Sequence, residues 1–155
     1  MGADGFRLGV AWVMMWAALA IHVTDEALTG FLPVYNATVL ALRADLGFWP
    51  MPVLEFKTWL LGLSTGILVL AFLSPFAFRN AKFLRPFFLF VAVVAGLLNA
   101  TGHTVATILG HTVGTVRFER PAPGFYSSPL LAIVSAYALL QLWRTRKEET
   151  PLLLR

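Results

Sequence analysis

The chain has 155 residues, of which 58% are hydrophobic and only 13% charged, and its mean hydropathy is +0.75. Soluble domains are about half apolar and about a quarter charged, so this composition excludes an ordinary water-soluble domain; it fits one compact unit, residues 1–155, with length for about four membrane spans. The absence of cysteine excludes disulfides, thiolate ligands and cysteine nucleophiles, and the net charge of +4 reads as basic loops at one membrane face rather than as a nucleic-acid surface.

The first apolar segment covers about residues 6–31. Arg7, the apolar run after it and Ala18-Leu19-Ala20 resemble the parts of a secretory leader, but the length is that of a first span. Near its end stand His22, Asp25 and Glu26, three and four residues apart and therefore on one helix face. In the connection that follows, Val34, Thr38, Val39, Leu42 and Leu46 recur at nearly helical spacing. That pattern predicts a short helix lying in the membrane interface, ended by Gly47, Pro50 and Pro52. Asn36-Ala37-Thr38 matches a glycosylation sequon, a pattern short enough to arise by chance.

The second segment covers about residues 54–78, with Glu55 and Thr58 at its mouth. Trp49 and Trp59 suit an outer aromatic belt. Gly62 and Gly66 have the spacing that lets helices approach closely, inside the bundle or between copies in a homo-oligomer. The third segment, about residues 83–109, carries Asn99, His103 and Thr107 at intervals of four, a second polar stripe. His111 lies about 80° round the helix from His103 and a turn or more higher, and reads as a rim residue. The fourth segment, about residues 128–143, is the shortest; it gains length from Pro123–Ser128 and brings Ser127 and Ser128 to its start.

Basic residues set the expected orientation. Arg7, Arg79, Lys82, Arg85, Arg144, Arg146, Lys147 and Arg155 fall on one side, against Arg43, Lys57, Arg117 and Arg120 on the other. The positive-inside rule then places both termini in the cytoplasm. The expected fold is all-α: an integral membrane four-helix bundle with a short interfacial helix in its first outer loop. At about 1.5 Å per residue, His22 and His103 rise to similar heights in the outer half of the bilayer, where Glu55, Ser127 and Ser128 also lie.

An ionised acid at mid-membrane costs about 2.5–3.5 kcal/mol on insertion scales, so such residues mark a functional site unless they merely fix packing. Three chemistries suit this layer. His22, Asp25, Glu26 and His103 supply the groups for acid–base catalysis, with Glu55, Asn99, Thr107 and Trp59 as substrate-binding residues around them; the substrate would be a hydrophobic, lipid- or terpenoid-like molecule undergoing isomerisation, cyclisation or hydrolysis. If a metal is present, His22, Glu26 and His103 are its ligands, and zinc or iron is the ion that such donors accept, which would make a metal-dependent hydrolase or oxidase. The third chemistry is non-enzymatic: a lipid or small-molecule binder, or a proton-coupled transporter component, although no transporter-like repeat is present. Ser64, Ser74, Ser127, Ser128 and Ser135 have no triad context in the sequence, and there is no Gly-rich phosphate loop.

His22-Val-Thr-Asp25-Glu26 followed by FLPVYN, then NATGH in the third segment and RPAPGFYSSPLL entering the fourth, resembles the HXXEE-domain family. His22 and Glu26 match the family's histidine and second glutamate, while Asp25 replaces the first glutamate, keeping the carboxylate and shortening its reach. The resemblance implies a small multi-span protein of the bacterial cytoplasmic membrane and supports the site without naming a reaction. The four-span plan is also loosely similar to that of the emopamil-binding sterol isomerases, with no motif shared.

Overall fold

The structure, a computed structural model, describes residues 2–149, with side chains through Thr145. Of the basic residues that set the expected orientation, Arg155 lies outside the described residues, as do the side chains of Arg146 and Lys147. The described residues form helices and loops, with one isolated antiparallel bridge between His111 and Arg117. The helices are α1 (Ala3–Thr29), α2 (Phe31–Leu46), α3 (Phe56–Phe78), α4 (Leu84–Leu109) and α5 (Ser128–Glu149). Among the described residues, α1, α3 and α4 are long and apolar enough to cross a membrane. α5 has 22 residues and falls short of that apolarity, since Gln141, Arg144, Lys147 and two glutamates sit in its second half.

α1 is the central element. Its buried face reads Leu8, Ala11, Trp12, Met15, Ala18, Leu19, His22, Val23, Glu26, the three-and-four spacing of one helix stripe. The stripe is apolar up to Leu19 and becomes polar at His22 without changing direction, so the histidine and the glutamate point into the protein because the leucines do. α3 and α5 both pack extensively on α1, α3 making the larger contact, and α4 packs mainly against α5. α1 ends at Gly30, whose φ of 77° reverses the chain at once into α2, and the Gly30 N–H caps the carbonyl of Glu26. The expected first span thus ends two residues early, and α2 begins at Phe31.

α3 breaks its helical pattern at Leu73, just before Pro75, which has no N–H to continue the ladder. A carbonyl left over in an apolar setting needs a donor. The Trp12 indole supplies one, Nε1 donating to Leu70 O at 2.7 Å, and Trp16 Nε1 donates to Ser74 Oγ at 3.3 Å.

α4 departs from the regular helix that its sequence predicts, because Val91–Leu98 is a π-helical stretch. Its buried residues include Leu84, Phe88, Ala92, Gly96 and Ala100, an interval of four throughout. In an unbroken α-helix the sixteen residues from Leu84 to Ala100 would leave that stripe rotated by about 160°. Wider i→i+5 turns turn less per residue and cancel the drift. The consequence is local to the site: Asn99–Leu109 emerges with His103 facing α1.

Candidate functional site

Three side chains meet where the apolar core ends. Glu26 Oε1 lies 3.1 Å from His103 Nε2 and 3.6 Å from His22 Nε2. The two imidazoles stand edge to face with centroids 4.9 Å apart. Their exposures are 1% for His22, 4% for Glu26 and 6% for His103, so water reaches this cluster poorly and each polar atom needs a partner inside it.

Asp25 does not join the cluster directly. Its Oδ2 accepts two hydrogen bonds from Ser127, one from the backbone N–H and one from the hydroxyl, both at 2.8 Å. Ser127 Oγ is also 2.7 Å from His22 Nδ1. A hydroxyl has a single proton, and a carboxylate can only accept. With that proton on Asp25, Ser127 Oγ must accept from His22 Nδ1–H. Nδ1 of His22 therefore carries a hydrogen, and in the neutral ring it is Nε2 that holds the lone pair. That Nε2 is buried, has no hydrogen-bond partner, and is the nitrogen directed at Glu26.

The loop between α4 and α5 closes over this arrangement. Ala122 N–H donates to Thr107 Oγ1 at 3.0 Å, and Gly124 N–H donates to Thr29 Oγ1 at 2.9 Å. Thr107 and Thr29 in turn donate to the carbonyls of His103 and Asp25 on their own helices. Ala122, Pro123 and Gly124 are buried, although they belong to a loop. Gly124 has a φ of 82°, and a Cβ on it would stand 2.7 Å from His103 Cε1 and 3.0 Å from Glu26 Cγ. Only glycine supplies both that backbone conformation and that closeness.

On its other side the cluster is reached through His103. A groove of about 360 Å³ runs along α4, lined by Phe31, Leu98, Asn99, His103, Leu109 and His111 among others. Its walls are chiefly apolar, while Asn99, His103, His111 and Thr112 supply polar atoms.

The remaining expected residues fall into place around this. Asn99 is half-buried in the groove wall, and Thr107 ties down the loop rather than facing a ligand. Trp59 is buried against Phe31, which itself packs on His103 at a ring distance of 5.4 Å, so Trp59 supports the site from behind. Glu55 is exposed at the start of α3 and stands outside the cluster. Ser127 and Gly124 are the residues with roles that the sequence did not reveal. His22 and Ser127 are 105 residues apart, and Gly124 sits in the stretch expected only to lengthen the fourth segment, with no role at the site. No protein-family model, no curated protein and no solved structure matches this chain.

Proposed function

We propose that this chain is an integral membrane four-helix bundle of the HXXEE type, in which α1, α3, α4 and α5 span the bacterial inner membrane with both termini cytoplasmic and α2 lies in the outer interface. Its work is acid–base chemistry on a hydrophobic, lipid- or terpenoid-like molecule held in the groove beside His103. The base belongs to the His22–Glu26–His103 cluster, and the groove presents the molecule to it. The observation that carries this reading is the orientation of His22: Asp25 and Ser127 engage its Nδ1, which leaves Nε2 buried, unpartnered and 3.6 Å from Glu26 as the nitrogen free to exchange a proton at the centre of the site. A cluster needed only for packing gains nothing from an unpartnered buried nitrogen, which costs free energy.

Untargeted profiling of extracted membrane lipids tests the proposal, comparing cells that produce the wild type, Glu26→Gln or Glu55→Gln. A hydrophobic species that is made or consumed with the wild type and with Glu55→Gln, but not with Glu26→Gln, is the expected result. Indistinguishable profiles from all three, with the proteins present at equal levels, would dismiss the enzyme reading.

A further inference from the structure

We infer that His22, Glu26 and His103 form a binding site for one divalent transition metal of the zinc type, a deepening that rests on this cluster being the working site. The donor atoms are already gathered: one from each residue, all within 4.8 Å of one another. Ligands bound about 2.0–2.1 Å from a tetrahedral zinc stand about 3.3–3.4 Å apart. The two separations from Glu26 Oε1, 3.1 Å to His103 and 3.6 Å to His22, straddle that edge length, and the two imidazole nitrogens, within 4.8 Å of each other, close in on an ion by turning of their rings.

The state of the donors agrees with the distances. A metal ligand must offer a lone pair; the Nδ1 hydrogen bond to Ser127 makes Nε2 the nitrogen of His22 that can do so, and His103 Nε2 gives up the hydrogen it shares with Glu26 when metal binds. Metal-bound histidines donate their other N–H to a carboxylate or to an oxygen that holds one, which orients the ring and raises its basicity. Asp25–Ser127–His22 is such a chain, and it gives Asp25 a purpose away from the cluster. The donor types select the class of ion. Calcium takes six to eight oxygen ligands and magnesium a near-ideal octahedron, whereas two imidazoles and a carboxylate suit zinc and its neighbours. Three protein ligands with a further position open is the arrangement of catalytic rather than structural zinc sites. A metal held here supplies a Lewis acid and lowers the pKa of a bound water, which would be the base assigned to the cluster above.

The test uses full-length, tag-free protein purified in mild detergent without chelator. Metals are counted by plasma mass spectrometry, and the stripped protein is titrated calorimetrically with Zn²⁺. The expected result is a single ion per chain in the wild type, and none in His22→Gln, Glu26→Gln or His103→Gln that keep wild-type helicity. Ser127→Ala, which touches no ligand atom, lowers Zn²⁺ affinity about 10–100-fold, and Ser127→Thr restores most of it. His111→Ala leaves binding unchanged. A folded wild type that neither carries nor takes up metal overturns the inference, as does metal that persists in all three ligand variants. In the first of those cases a lipid change that still depends on Glu26 would leave the acid–base function standing with the side chains as its only base. Metal binding without any lipid change would separate the two in the other direction.

Discussion

His22 Nδ1 and Ser127 Oγ lie 2.7 Å apart, joining the first long helix to the residue immediately before the last one. Ser127 also holds both of its polar protons on Asp25 Oδ2, so a single residue links two others across the site.

Replacing Ser127 therefore has two effects. Ser127→Ala leaves His22 Nδ1 without its acceptor and removes one of the two donors to Asp25, at a cost of about 1–3 kcal/mol. The freed imidazole can take either tautomer, so function falls by more than stability does. Unfolding in detergent and the lipid profile measure the two effects separately. Ser127→Thr, which keeps the hydroxyl, is expected to recover both.

Gly124→Ala strains a backbone held at a φ of 82° and drives a methyl group against His103 and Glu26. A loss of about 1–3 kcal/mol is expected from the backbone alone. Gly114→Ala is the matched control, because a Cβ there meets nothing within 4 Å. Equal melting temperatures for the two variants would contradict the close packing of the loop over the site.

A third experiment separates a functional cluster from a structural one. His103→Leu leaves Glu26 buried without its nearest partner, and breaking a buried charge pair this way costs about 3–5 kcal/mol. Replacing His22, Glu26 and His103 together by leucine removes every orphaned charge, and such exchanges are neutral or stabilising by about 1–4 kcal/mol. The triple variant is expected to fold, to melt no lower than the wild type and to be inert. Should it fail to fold while His103→Leu remains stable, the cluster holds the helices together.

Trp12→Phe keeps the ring packed on Phe88 but deletes the donor to Leu70 O. That carbonyl then has no replacement in an apolar surrounding, and a destabilisation of about 1–3 kcal/mol follows. Thermal unfolding of the purified variant against the wild type reads it directly.

The inward direction of His22 and Glu26 was legible because both continue the stripe of Leu8, Trp12, Met15 and Leu19 at helical spacing. The helix after Gly30 was legible for the same reason, from Val34 to Leu46. Height arguments placed Glu55 in the same layer as His22, but height fixes no rotation and the side chain faces outward. The partners of Asp25 could not be read, since Ser127 follows 102 residues later through a loop with no periodic pattern. α4 shows a third kind of limit. Its four-residue spacing of buried positions is visible in the sequence, yet only the wider turn of Val91–Leu98 gives that spacing a single face.

The long separation between Asp25 and Ser127 also has a meaning for synthesis. Ribosomes add about 5–20 residues per second, so roughly 5–20 s pass between the emergence of α1 and that of the loop that covers its polar end. If α1 spans the membrane as proposed, His22, Asp25 and Glu26 enter it during that interval without the partners that later satisfy them. The most hydrophobic part of α1, from Leu8 to Leu19, has to hold the helix in the membrane alone. On the proposed membrane topology, the polar end of the first helix waits longer for its partners than any other part of the site.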